Sequence, residues 1–158
     1  MGVSHAYTIL LVEDQADDVF LMERALQKTH LKHPFRVVTD GQKAIQYLDG
    51  EDDYTDRVAF PFPGLVILDL KMPGVTGFQV IEWMRKKERT RLTPIIVLSS
   101  SSLPADINHA YQLGANAYLV KPADHRSLER LLQTIGEFWL ASEGPVQGWV
   151  RSETTPVL

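Results

Sequence analysis

Cysteine is absent from the 158 residues, so disulfide scaffolding, thiolate-held zinc and thiol catalysis are excluded together. Excess positive charge is absent as well: 16 lysines and arginines stand against 20 aspartates and glutamates, a net charge of −4. Recognition of a phosphate backbone needs a basic face, and nucleic acid is not an expected partner. No apolar run approaches the roughly 18 residues that mark a membrane-spanning helix. The opening MGVSHAYT lacks a basic segment leading into a long apolar stretch. Neither a membrane span nor a standard secretory signal is expected, and the composition fits the cytoplasm. What is present suffices for one globular domain with a real core: 44% of residues are hydrophobic and 23% charged.

Short β-rich runs alternate with helical patterns along the chain. ILLVED (9–14), FRVVT (35–39), LVILD (65–69), PIIVLS (94–99) and AYLV (117–120) read as strands. Between and after them, 17–29, 42–48, 78–87, 105–113 and 127–140 carry helical periodicity. Asp40-Gly41, Gly74, Gly77, Pro94, Pro104, Gly114 and Pro122 punctuate the boundaries. Strict alternation of this kind implies a parallel sheet with helices on both faces, a doubly wound α/β domain. The stretch 51–63, EDDYTDRVAFPFP, is longer than an ordinary helix-to-strand connection and reads as an elaborated loop. The domain is expected over 8–141. Residues 142–158, with Gly, Pro and no period, form a tail too short for an output domain.

In an open parallel sheet the functional crevice lies beyond the carboxyl ends of the strands. There the sequence places Glu13 and Asp14 after strand one, Asp69 after strand three, Ser99 at the end of strand four, and Lys121-Pro122 after strand five. Asp69 is the odd residue in LVILDLKMPG, since a buried parallel strand needs no polar atom at its end. Clustered carboxylates repel one another unless a cation sits among them, and hard oxygens at this density suit Mg²⁺. A carboxylate can also attack a phosphoryl group to give an acyl phosphate. Lys121 would neutralise charge on the transferring oxygens and Ser99 would hydrogen-bond the attached group.

These residues together resemble the response-regulator receiver domains of two-component signalling. The acidic pair of ILLVED, the acceptor of ILDLKMPGVTG, the hydroxyl of IIVLSSSS, the Gly-Ala of LGANAY and the lysine of LVKPA fall in family order over roughly 8 to 140. The resemblance implies a flavodoxin-like five-stranded parallel sheet of order 2-1-3-4-5 with five helices. It implies Asp69 as phosphoacceptor, and Glu13, Asp14, Asp69 and the backbone carbonyl of Lys71 around Mg²⁺. Ser99 would be the switch hydroxyl, Lys121 the phosphate-binding lysine and Tyr118 the aromatic switch, with a cis Lys121–Pro122 bond turning the lysine inward. Lys71 and Ser101 occupy places that tune phosphoryl lifetime in this family. The partner implied is a histidine kinase. More narrowly, the 51–63 loop, the serine-rich stretch and the ending GEFWL resemble the small regulators paired with bacterial phytochromes.

Two surfaces are expected to meet partners. Phe20 points away from the apolar stripe of Leu21, Met22, Ala25 and Leu26 on the first helix; the resemblance implies that this helix meets the kinase, which makes Phe20 a candidate contact. With no output domain expected, the signal would leave through a homodimer or a downstream protein, and the resemblance implies that it uses the fourth helix, fifth strand and fifth helix. Leu128, Leu131, Leu132, Ile135, Phe138 and Trp139 supply an apolar arc there, with Leu140 and Trp149 beyond it. The enzyme alternative is an aspartate-nucleophile phosphatase, which needs a second aspartate two residues after the first; that position is Lys71. A flavin or nucleotide carrier would want a phosphate-cradling loop, yet EDQADD has four acids and no glycine. A receiver that binds partners without phosphorylation is disfavoured because all five key positions are filled.

Overall fold

A computed structural model describes residues 8–28 and 34–141. Five strands and five α-helices alternate among the described residues: β1 (Thr8–Val12), α1 (Ala16–Gln27), β2 (Phe35–Val38), α2 (Gly41–Asp49), β3 (Pro63–Leu68), α3 (Gly77–Lys86), β4 (Ile95–Ser99), α4 (Pro104–Leu113), β5 (Ala117–Val120) and α5 (His125–Ala141). The strands form one parallel sheet in the order β2-β1-β3-β4-β5. This is the order the resemblance implied.

Alternation along each strand sends successive side chains to opposite faces, so every central strand feeds two cores. Leu10, Val12, Val66, Leu68, Ile95 and Val97 pack on one face against Tyr47 and Leu48 of α2 and Val80, Ile81 and Met84 of α3. Ile9, Leu11, Leu65, Ile67, Ile96 and Leu98 pack on the other against Met22, Ala25 and Leu26 of α1 and Leu128, Leu132 and Ile135 of α5. Each side chain buried this fully contributes about 1.5–3 kcal/mol, which fixes β1, β3 and β4 as the rigid floor of the domain.

Local signals set the boundaries. Asp40 caps α2 by accepting from the Lys43 amide at 2.7 Å. Thr76 and Gln79 form a reciprocal capping box that starts α3. Gly77 follows because of the space it occupies. A Cβ there would lie 2.2 Å from the Asp69 carbonyl oxygen and 2.7 Å from Leu70 Cα, so only glycine lets α3 begin against the loop that carries Asp69.

The connection after α2 is more ordered than its composition suggests. Asp52–Tyr54 form a 3₁₀ turn, and Pro63, counted with the loop in the sequence, opens β3. Arg57 donates to the carbonyls of Tyr47, Leu48 and Phe60, while the Tyr47 hydroxyl donates to Pro61 at 2.8 Å. The loop is thereby tied to the C-terminal end of α2. On α5, Leu128, Leu132 and Ile135 are buried, Leu131 and Trp139 half-buried, and Phe138 is 65% exposed. The Leu140 side chain and Trp149 lie outside what is described.

Candidate functional site

The strands stop just short of the residues singled out in the sequence. β1 ends at Val12, β3 at Leu68 and β5 at Val120, so Glu13, Asp14, Asp69 and Lys121 stand one or two residues beyond their strands, while Ser99 is the last residue of β4. The ladder carries on for one more bond at each place. The amides of Glu13, Asp69 and Lys121 donate to Val38, Val12 and Ser99 carbonyls at 3.1, 3.0 and 2.8 Å. Chain ends that would otherwise fray are held by the sheet, and their side chains converge above it.

Glu13 and Asp69 are buried, Asp14 partly so, and the three offer carboxylate oxygens within 4.8 Å of one another. Asp14 Oδ1 is buried with no hydrogen-bond partner. An orphaned carboxylate oxygen beside two other acids is costly unless a cation meets it, and the all-oxygen donor set matches a hard divalent ion. The residues therefore fit a divalent-metal site.

Lys121 lies against this cluster. Its Nζ is 2.6 Å from Glu13 Oε2, 2.9 Å from Asp18 Oδ2 and 3.4 Å from Asp69 Oδ2, with a side chain only 7% exposed. Burial alone would lower the lysine's pKa, but hydrogen bonds to Glu13 and Asp18 and the charges of Glu13 and Asp69 outweigh it and hold the ammonium above its ordinary range. Burial acts oppositely on Glu13, pushing its carboxyl up to about 7, with Asp69 adding to the rise and the Lys121 hydrogen bond opposing it. The expectation of a cis bond before Pro122 is not met: no cis peptide occurs among the described residues. The lysine reaches the acids with the peptide trans, the form favoured by about 0.5–1 kcal/mol before proline.

A second network links the site to α4. Ser99 is buried, and its Oγ accepts from the Ser101 amide at 3.2 Å. The Ser101 carbonyl accepts from the Tyr118 hydroxyl at 2.8 Å, and the Ser101 hydroxyl donates to Asp106. Asp106 also pairs with Lys71 at 3.8 Å, whose side chain is otherwise exposed. Ser99, Lys71 and Tyr118 are thus joined through two residues, Ser101 and Asp106. Tyr118 packs half-buried against the core on the α3 side. Phe20 stands apart on α1, 62% exposed, as its helical phase required.

Sequence reasoning missed Asp18 and Asp106. The signal for Asp18 was its spacing, one helical turn after Asp14, which returns it to the strand end. Asp106 had no comparable signal, since an acid in the first turn of a helix is ordinary.

The comparisons with known proteins agree with this geometry. Residues 9–133 match the response regulator receiver domain family. The chain is 33% identical over 146 residues to the probable methanogenesis regulatory protein FilR2 of Methanothrix harundinacea, covering 92% of this chain and 87% of that protein. Among solved structures, the phosphorylated cyanobacterial phytochrome response regulator RcpA superposes with a TM-score of 0.84 at 33% identity, covering 89% of this chain and 99% of that one. The Mn²⁺-bound form of Rcp1 superposes with a TM-score of 0.82 at 30% identity, over the same shares of the two chains. Rcp1 of Synechocystis is itself 31% identical over 132 residues, 84% of this chain and 88% of that protein. The chain belongs to the response-regulator receiver family, and it resembles regulators associated with phytochromes.

Proposed function

We propose that this receiver accepts a phosphoryl group on Asp69 from a histidine kinase and passes the signal on by changing its protein contacts. The observation that carries the reading is the placement of a nearly buried lysine and three convergent carboxylates at one strand edge. An Asp69 carboxylate oxygen attacks the phosphorus of a phosphohistidine. The P–N bond breaks, the imidazole departs with the electron pair and takes up a proton, and an acyl phosphate forms on Asp69. Glu13, Asp14, Asp69 and the Lys71 carbonyl would hold Mg²⁺, which supplies positive charge to the phosphoryl oxygens when bound. Lys121 binds one of those oxygens and Ser99 donates its hydroxyl to another.

Release of the Ser101 amide by Ser99 loosens the carbonyl that holds the Tyr118 hydroxyl, which lets the ring turn. The receiver promotes its own phosphorylation and the later hydrolysis of the acyl phosphate but acts on no separate protein substrate. The family match and Lys71 at the place of a phosphatase's second aspartate favour this reading over a phosphatase.

The kinase is a phytochrome in the reading favoured by RcpA, and it docks on α1 at exposed Phe20. Output runs through a homodimer or a separate protein at the α4, β5 and α5 face, where Tyr111, Val120 and Phe138 are exposed. The receiver unit spans 8–141; residues 142–158, expected as a tail, lie outside the described residues.

Incubation with acetyl phosphate and Mg²⁺, read by intact mass, tests the chemistry. The wild-type chain gains one phosphoryl group, and neither the chain without Mg²⁺ nor Asp69→Asn does. Labelling of Asp69→Asn to the wild-type extent would remove the assignment. Phe20→Ala slows transfer from a kinase without changing acetyl phosphate labelling; unaltered kinase transfer removes Phe20 from the interface. Sedimentation before and after phosphorylation decides the output, and a monomer in both states leaves only the separate partner.

A further inference from the structure

Lys121 touches three carboxylates, and only two of them belong to the group placed to hold an ion. Glu13 and Asp69 are shared between the lysine and the metal-capable cluster. Asp18 is not: it lies 2.9 Å from Nζ but outside that cluster, on the first turn of α1, with its side chain 28% exposed. The ammonium has three donors and meets three acceptors, so it is fully satisfied as it stands. An ion that takes Glu13 Oε2 and Asp69 Oδ2 displaces the ammonium from both. A buried ammonium stripped of its partners is expensive, and Asp18 is the one acceptor that release does not remove.

We propose that Asp18 is a positioning residue that keeps Lys121 at the edge of the site while Glu13 and Asp69 give it up to serve a divalent ion. The lysine is thereby parked beside Asp69, within reach of an arriving phosphoryl oxygen, instead of competing for the carboxylates. The inference rests on the reading of Glu13, Asp14 and Asp69 as the ion's ligands. An ordinary role for Asp18, an acid favouring the positive end of α1, is filled equally by its neighbour Asp17, which is exposed and has no lysine contact among the described residues. That pair supplies its own control.

The test is a Mg²⁺ titration of the full chain followed by NMR, without phosphorylation. It uses Asp18→Asn, Asp18→Glu and Asp17→Asn, and also Asp18→Asn in a Lys121→Met background. The Mg²⁺ Kd rises ~fivefold in Asp18→Asn, because releasing the lysine then leaves it without a buried partner. It changes less than ~twofold in Asp17→Asn, and Asp18→Glu recovers most of the wild-type affinity. With methionine at 121 there is no lysine to park, and Asp18→Asn has no effect on Mg²⁺.

Wild-type Mg²⁺ affinity in Asp18→Asn overturns the proposal. So does an undiminished loss in the Lys121→Met background, since Asp18 would then act only as distant negative charge. A wild-type chain that binds no Mg²⁺ removes the ligand reading itself, and the inference with it.

Discussion

Two cations hold the two ends of the sheet, and they do it differently. Where the strands begin, Arg85 of α3 donates to the carbonyls of Gly114, Thr90, Arg91 and Thr93 and to the Asn116 side chain, all between 2.9 and 3.2 Å. Asn116 passes the tie to β4 by accepting from the Ile95 amide. Every acceptor is neutral and fixed in the backbone or beside it, so nothing else can claim it. Where the strands finish, Lys121 is held by three ionisable side chains, two of which suit an ion equally well. One end is a fastener and the other an exchangeable contact. Chemistry belongs at the second, because only there can a new charge replace an old one.

The comparison breaks most visibly by removing each cation. Arg85→Met leaves several half-buried carbonyls unpaired and costs about 3–5 kcal/mol in urea unfolding, with no recovery on adding Mg²⁺. Lys121→Met costs about 1–3 kcal/mol without the ion, since Glu13 and Asp69 lose their counter-charge, and saturating Mg²⁺ narrows that deficit. Equal and Mg²⁺-insensitive losses in the two variants would make Lys121 a second fastener.

A smaller effect separates the two ends by pH. Burial raises Glu13 from 4.5 to about 7, so the folded chain binds this proton more tightly than the unfolded one. The stability Glu13 contributes is present in full below its unfolded value and is lost as pH rises toward about 7. Ion and proton compete for the same carboxylate. The Mg²⁺-induced rise in Tm is therefore larger at about pH 8 than at about pH 6. A rise independent of pH would mean that Glu13 takes no part in binding.

The smallest expected effect is Ser99→Ala. Asp69 still becomes phosphorylated, but the link from Ser99 through Ser101 to Tyr118 is cut and the partner response weakens. Equal loss of phosphorylation and response would instead give Ser99 a structural role.

What the sequence disclosed follows from the same contrast. Glu13, Asp14, Asp69 and Lys121 were legible because polar residues directly after apolar strands break a pattern, and strand ends in a parallel sheet share one edge. The exposure of Phe20 was legible from helical phase alone. Arg85 was not, because its acceptors lie in two loops, α3–β4 and α4–β5, that only tertiary packing brings together, and an arginine near a helix end looks solvated. Asp106 and the Arg57 tie beneath the 51–62 loop were hidden for the same reason. The cis bond expected before Pro122 came from the family and not from a local signal, and the lysine's long stem reaches the acids without it.

The most direct measurement is to trap the phosphorylated chain with borohydride, which reduces an acyl phosphate to the alcohol, and to map the modified peptide. The account predicts homoserine at position 69 and nowhere else. Reduction at Asp14 or Asp18, or an unmodified Asp69 in a chain that has gained the phosphoryl mass, would contradict it.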